Sequence, residues 1–178
     1  VNIGIRLNPN TDAKTLKQIS TGKKENKFGV DEKTFFDLVN YSKLSKNISL
    51  KCLSVHIGSQ ILDYKPYEKM LKVVDKIVKK SNHEFKFIDL GGGMGISYEK
   101  NNKKLNYQKY NIAIKKFLKN HKSKIIFEPG RSIVGNIGSL ISKVIYIKEN
   151  NKKDFIILDA AMNDLMRPAL YGANHRTL

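Results

Sequence analysis

The stretch Phe85-Lys86-Phe87-Ile88-Asp89-Leu90-Gly91-Gly92-Gly93 is a short apolar run that stops at once on three glycines. A brief buried strand ending in glycine, with helical periodicity on both sides, is the repeating unit of a parallel α/β arrangement. Upstream, Tyr67, Met70, Leu71, Val74, Ile77 and Val78 recur at helical spacing, with Pro66 tolerated in the opening turn. Downstream, Tyr110, Ile114, Phe117 and Leu118 mark another amphipathic helix. It leads to a second short strand, Ile125-Ile126-Phe127, which ends in Glu128-Pro129-Gly130-Arg131. Further back, Leu50 to Ile57 reads as a strand running into Gly58. Asp31 caps a helix with Phe35, Leu38 and Val39 on its apolar face, and Val1 to Leu7 is an alternating strand stopped by Pro9. The order β-loop-α-β-α-β-α-β predicts parallel strands covered by helices, in an open doubly wound sheet or a closed barrel.

Beyond residue 132 the rhythm changes. Leu140 to Ile147 and Phe155 to Leu158 are two strand-like runs separated by a polar turn containing Glu149-Asn150-Asn151, too short for a crossover helix, so an antiparallel pair is predicted. A domain transition is placed near Ser132 to Gly138, giving domains at 1–134 and 135–178.

With 178 residues, 40% of them hydrophobic, the chain can bury an ordinary core. The formal net charge of +17 raises a nucleic-acid reading. The lysines are scattered, however, as in Lys23-Lys24, Lys79-Lys80, Lys115-Lys116 and Lys152-Lys153, with no stripe of interleaved aromatics, so no nucleic-acid partner is expected. No apolar stretch approaches the ~20 residues of a membrane span and no leader pattern opens the chain, so a cytoplasmic protein with no membrane partner is expected. The single cysteine, Cys52, lies in the apolar run Leu50 to Ile57 and is expected to be a buried strand residue; no metal site is expected.

Three successive strands finish in motifs that mix glycine with reactive or charged groups: His56-Ile57-Gly58-Ser59, Asp89-Leu90-Gly91-Gly92-Gly93 and Glu128-Pro129-Gly130-Arg131. In parallel α/β folds ligands lie beyond the C-terminal strand ends, so the three should converge. Singly each has a plainer reading. His56 fits a hydrogen-bonded structural residue, the glycine run a flexible turn, and Glu128 with Arg131 a local salt bridge. The functional reading of the glycines is that they let backbone N–H groups approach an anion. The run does not match the dinucleotide fingerprint, since Ile96 stands where the third glycine belongs, and it lacks the Gly-Lys-Ser/Thr ending of a P-loop. A phosphate-cradling loop beside Glu128 and Arg131 points to a ligand with both anionic and cationic parts.

Five motifs in order make a specific resemblance: the stretch from Ile19-Ser20-Thr21-Gly22 to Asn26-Lys27-Phe28-Gly29, His56-Ile57-Gly58-Ser59-Gln60, Asp89 to Gly93, Glu128-Pro129-Gly130-Arg131-Ser132, and Met162-Asn163-Asp164-Leu165-Met166-Arg167-Pro168-Ala169-Leu170-Tyr171. Together they resemble diaminopimelate decarboxylase, in the ornithine/diaminopimelate/arginine decarboxylase group. The resemblance implies pyridoxal 5'-phosphate (PLP) as cofactor and an alanine-racemase-like fold. The chain would then carry the second half of a β/α (TIM-like) barrel followed by the first strands of a C-terminal β domain. The implied reaction is decarboxylation of meso-2,6-diaminopimelate to L-lysine. His56 resembles the histidine that stacks on the pyridine ring. Ser59, Gly91, Gly92, Gly93 and the Gly130-Arg131 segment match phosphate-binding positions, and Glu128 matches the carboxylate paired with the pyridine nitrogen. Arg131, Arg167 and Tyr171 match positions that hold the substrate's distal carboxylate. Without that match Arg167 reads as an ordinary surface arginine.

The resemblance also places the Schiff-base lysine upstream of Val1 and further substrate contacts beyond Leu178. No catalytic residue is therefore expected in this chain, and a fragment inactive alone is expected. Asn174 stands where the family more often has Tyr. The implied partners are a small amino-acid substrate, a second copy in a homodimer, and a separate N-terminal half. The competing readings are a decarboxylase for ornithine, lysine or arginine, disfavoured because Arg131, Arg167 and Tyr171 suit a second carboxylate, and a non-catalytic remnant.

Overall fold

The structure is a computed structural model that describes residues 1–13, 20–98, 103–175 and 177. Ile19, the first residue of the first family motif, lies outside the described residues. The chain divides into two compact units, Val1–Ile96 with Lys103–Asn136, and Ser97–Asn102 with Ile137–Leu178.

The first unit is built on four parallel strands in the order β1-β2-β3-β4: β1 Asn2–Arg6, β2 Ser49–Ser54, β3 Phe87–Asp89 and β4 Lys124–Ile126. Helices α1 (Glu32–Leu44), α2 (Lys65–Ser81) and α3 (Tyr107–Leu118) connect them. Each helix starts where the sequence supplies a start. The Asp31 carboxylate accepts the Thr34 N–H at 2.7 Å, Asn106 accepts the Lys109 N–H at 2.9 Å, and Pro66 opens α2. Helix α2 ends on Asn82 in the left-handed conformation, a residue type that tolerates it.

Register decides which strand residues meet the helices. Ile5, Leu53, Ile88 and Ile125 form one cross-strand row, and all but the half-buried Ile125 are buried. Tyr67, Met70, Leu71, Val74 and Ile77 of α2 pack in the same core. Burying each such side chain is worth roughly 1.5–3 kcal/mol. The alternate rows lie on the other face: Gly4, Cys52, Phe87 and Lys124, then Arg6, Ser54, Asp89 and Ile126.

Three expectations are corrected. Cys52 is half-buried, because the register puts it in the row away from the helices. Burial, with the nearby Asp89 charge adding to it, pushes its thiol pKa up, which makes it a poor nucleophile. Leu38 is 37% exposed, since α1 centres its buried arc on Phe35, Val39 and Ser42. The strand predicted from Leu140 starts only at Val144.

In the second unit β5 (Val144–Lys148) and β6 (Phe155–Leu158) pair antiparallel, as the short polar turn between them requires, and every residue of both strands is exposed. Two helical turns were not foreseen: α4 (Arg131–Val134), in the first unit, and α5 (Arg167–Tyr171), which ends on left-handed Gly172. Among the described residues no helix is long and apolar enough to cross a membrane.

Candidate functional site

The ends of β2, β3 and β4 meet, and the meeting is made by backbone as much as by side chains. The Asp89 carboxylate receives the Gly91 N–H at 2.8 Å and the Ser54 hydroxyl at 3.2 Å, which turns the chain as it leaves β3. The next amide, Gly92 N–H, donates to His56 Nδ1 at 3.2 Å. Glu128 N–H donates to the Gly91 carbonyl at 2.8 Å, and Ile61 N–H to the Gly93 carbonyl at 2.9 Å. From below, the buried Tyr67 hydroxyl donates to the Gly92 carbonyl at 3.1 Å.

These approaches account for the glycines. A Cβ on Gly92 would stand 2.1 Å from the Glu128 carbonyl oxygen, and one on Gly93 2.0 Å from that of Gly58. The run is thus a welded junction between three strand ends rather than a flexible turn. Gly130 differs, since nothing lies within 4 Å of where its Cβ would be.

His56 is half-buried beside this junction. Burial and the Arg6 charge lower its pKa, against the opposing pull of Asp89. Accepting the Gly92 N–H at Nδ1 assigns the remaining proton to Nε2. The ring is therefore neutral and flat, suited to stacking on an aromatic ligand. The loop before α1 is laid along the same segment: Thr21 Oγ1 donates to the His56 carbonyl at 2.9 Å, and Ser20 bridges to Gly58. Ser20 Oγ is buried with no hydrogen-bond partner among the described residues. A buried hydroxyl left this way costs free energy unless a ligand or water completes it.

The chemistry offered is a neutral imidazole, the strand-end amide of Gly93, an unmatched buried hydroxyl, the exposed Glu128 carboxylate and the Arg131 guanidinium. These residues fit a cofactor that combines a flat ring, a basic ring nitrogen and a phosphate. The orphaned Ser20 hydroxyl and the open side of Gly130 are the places that fit leaves for it.

His56, Ser59, Gly91, Gly92, Gly93, Glu128, Gly130 and Arg131 all belong to the first unit. Arg167 and Tyr171 belong to the second, where the guanidinium carbon lies 5.3 Å from the Tyr171 ring centre and Nε is shielded with no hydrogen-bond partner among the described residues. The side chains missed at the sequence level are Arg6, Ser54 and Gln60. A charged residue at Arg6, amid the apolar alternation of β1, is the one feature that could have drawn attention to that face.

The family described as "Pyridoxal-dependent decarboxylase, pyridoxal binding domain" matches residues 1–135. Diaminopimelate decarboxylase of Aquifex aeolicus is 42% identical over 180 residues, covering 99% of this chain and 43% of that protein. The Helicobacter pylori J99 enzyme of the same name is 45% identical over 97% of this chain and 43% of its own length. The crystal structure of the Helicobacter pylori diaminopimelate decarboxylase complexed with L-lysine superposes with a TM-score of 0.92 at 43% identity, covering 99% of this chain and 45% of that one. The chain thus spans less than half the length of the relatives it matches.

Proposed function

Since the chain belongs to the pyridoxal-dependent decarboxylase family by its pyridoxal binding domain, we propose that it supplies the cofactor cradle and part of the substrate pocket of a PLP-dependent diaminopimelate decarboxylase. The observation that carries this is the junction at the strand ends, where Gly92 N–H and His56 Nδ1 bind each other 3.2 Å apart beside Glu128. PLP, when bound, supplies an electron sink for the pair of electrons left when carbon dioxide departs. The chain's residues prepare that sink. Glu128 holds a proton on the ring nitrogen, because an adjacent carboxylate favours the charged form. His56, kept neutral, covers one ring face without placing a competing cation there. Ser59, the Gly93 amide and the Gly130-Arg131 segment hold the phosphate, while Gly91 and Gly92, whose amides are bonded to Asp89 and His56, shape the loop beside it. Arg131, Arg167 and Tyr171 hold the distal carboxylate, where guanidinium forks give charge-assisted contacts.

The same reading makes the four-stranded sheet part of a closed β/α barrel in a cytoplasmic homodimer, and it rests there on the family resemblance alone. The activity is assigned to the assembly that includes the segments the relatives have beyond this stretch.

The test is to complete the chain with those segments from the Helicobacter pylori relative and follow carbon dioxide release from diaminopimelate, ornithine, lysine and arginine. Arg167→Ala removes one charge-assisted contact far from the breaking bond, so kcat/KM for diaminopimelate is expected to fall about 10- to 150-fold with the cofactor spectrum unchanged. Glu128→Ala is expected to lower kcat most. An unchanged kcat/KM in Arg167→Ala would shift the reading to a decarboxylase for amino acids with a single carboxylate.

A further inference from the structure

Gln60 has its backbone at φ +63°, in the left-handed region that a residue with a long side chain rarely occupies; the other two non-glycine residues there among the described residues are asparagines. Its side chain is committed on both edges. Oε1 accepts from Arg131 Nη1 at 2.9 Å and from Ile96 N–H at 3.3 Å, while Nε2 donates to the Ile96 carbonyl. The facing loop is cut to admit the amide, since a Cβ on Gly95 would stand 3.0 Å from Gln60 Oε1 and 2.9 Å from its carbonyl carbon. Ile61 N–H donates to the Gly93 carbonyl, and Gly95 N–H to the Ile61 carbonyl at 3.1 Å, so this loop is stitched to the end of the glycine run.

The two bonds to the Ile96 backbone decide which edge of the amide faces Arg131, namely the carbonyl oxygen. A guanidinium is a rigid planar fork, so anchoring one N–H on a fixed acceptor sets the plane of the whole group. We propose that Gln60 is a positioning residue, orienting the Arg131 guanidinium toward the ligand's oxyanion, whether phosphate monoester or carboxylate. The strained backbone is what brings a side chain of this length back across the loop. This inference rests on the reading that Arg131 belongs to the anion site.

The experiment titrates the chain, completed with the Helicobacter pylori segments as above, with pyridoxine 5'-phosphate, which has no aldehyde to condense with lysines, and then adds diaminopimelate to the loaded protein. Gln60→Gly keeps the backbone free to adopt positive φ while removing the amide. It is expected to weaken binding about tenfold in the arm whose oxyanion Arg131 meets, phosphate or carboxylate. Arg131→Ala is expected to weaken the same arm, and the double variant to be no weaker than Arg131→Ala alone. A merely structural loss would lower affinity equally in both backgrounds, and that additivity would overturn the proposal. If Arg131→Ala weakens binding and Gln60→Gly does not, the proposal falls while the anion site stands. If Arg131→Ala changes neither arm, the reading of Arg131 falls and takes the proposal with it. Independently of any ligand, the ¹⁵N order parameter of Arg131 Nε–H should drop in Gln60→Gly; an unchanged value overturns the positioning role.

Discussion

Two neighbours set the state of His56: the Gly92 N–H, which needs an acceptor at Nδ1, and the burial that with Arg6 lowers its pKa. A lowered pKa means the folded chain binds its proton less readily than the unfolded one. The stability gained by keeping His56 neutral is therefore complete above the ordinary value of 6.5 and is lost as pH falls through the folded value. Long-range ¹H–¹⁵N correlation spectra should show the Nε2–H tautomer and a titration midpoint below 6.5; a midpoint at or above it would refute the assignment. His56, Glu128 and the glycines were legible because each terminates a recognisable strand. Gln60 and Ser54 were not, because their importance comes from partners 35 or more positions away: Gln60 to Ile96 and Arg131, and Ser54 to Asp89 across paired strands. Spacing along the chain carries no trace of such pairings.

Helix α2 links the core to the site through Tyr67, which stacks on Tyr110 with ring centres 4.4 Å apart and donates to the Gly92 carbonyl. Burial drives both phenol pKa values upward, so Tyr67 remains a donor throughout the working pH range. Tyr67→Phe keeps the stack and removes the bond, and is expected to cost about 1 kcal/mol in urea unfolding while speeding amide exchange at the glycine run. At its other end α2 is tied to the turn after α3, where His121 Nε2 and Lys79 Nζ each lie 2.7 Å from an oxygen of Asp75. Burial alone would raise the Asp75 pKa, but the bonds from Lys79 and His121 outweigh it and hold the carboxyl below its usual 3.8. That contribution is present above 3.8 and disappears as pH falls through the lower folded value. Asp75→Asn should therefore destabilise by about 1 kcal/mol at pH ~7 and much less at pH ~3, measured by paired urea melts. The helices themselves could be read from sequence because their apolar positions repeat. Leu38 was misassigned because apolar character alone cannot say how wide the buried arc is.

Taken whole, the molecule keeps its dry core in the first unit and leaves β5 and β6 bare on both faces, with Ile145 63% and Ile156 61% exposed. A two-stranded ribbon of this kind has unpaired edges and apolar faces, the conditions for self-association. The 178-residue chain is expected to bind a hydrophobic dye and to associate at micromolar concentration. Replacing Ile145 and Ile156 together with Lys should suppress both effects without moving the thermal midpoint of the first unit. A monodisperse, dye-silent parent chain would contradict this. The antiparallel pair was readable from its short turn, whereas the two turns α4 and α5, each a single turn long, have no periodicity to read. The welded junction has one more consequence, which concerns the order of folding. Each of its three strands pairs with one lying a whole helix away along the chain, so every closure must find a distant partner before it is rewarded. Gly92 is bonded to His56 just past β2 and to Tyr67 of α2 and packs against Glu128 just past β4, and no partly folded state that lacks one of these can present the anion cradle. The cradle should thus be among the last features to appear on refolding, and the Gly92 amide should exchange only when the first unit opens as a whole.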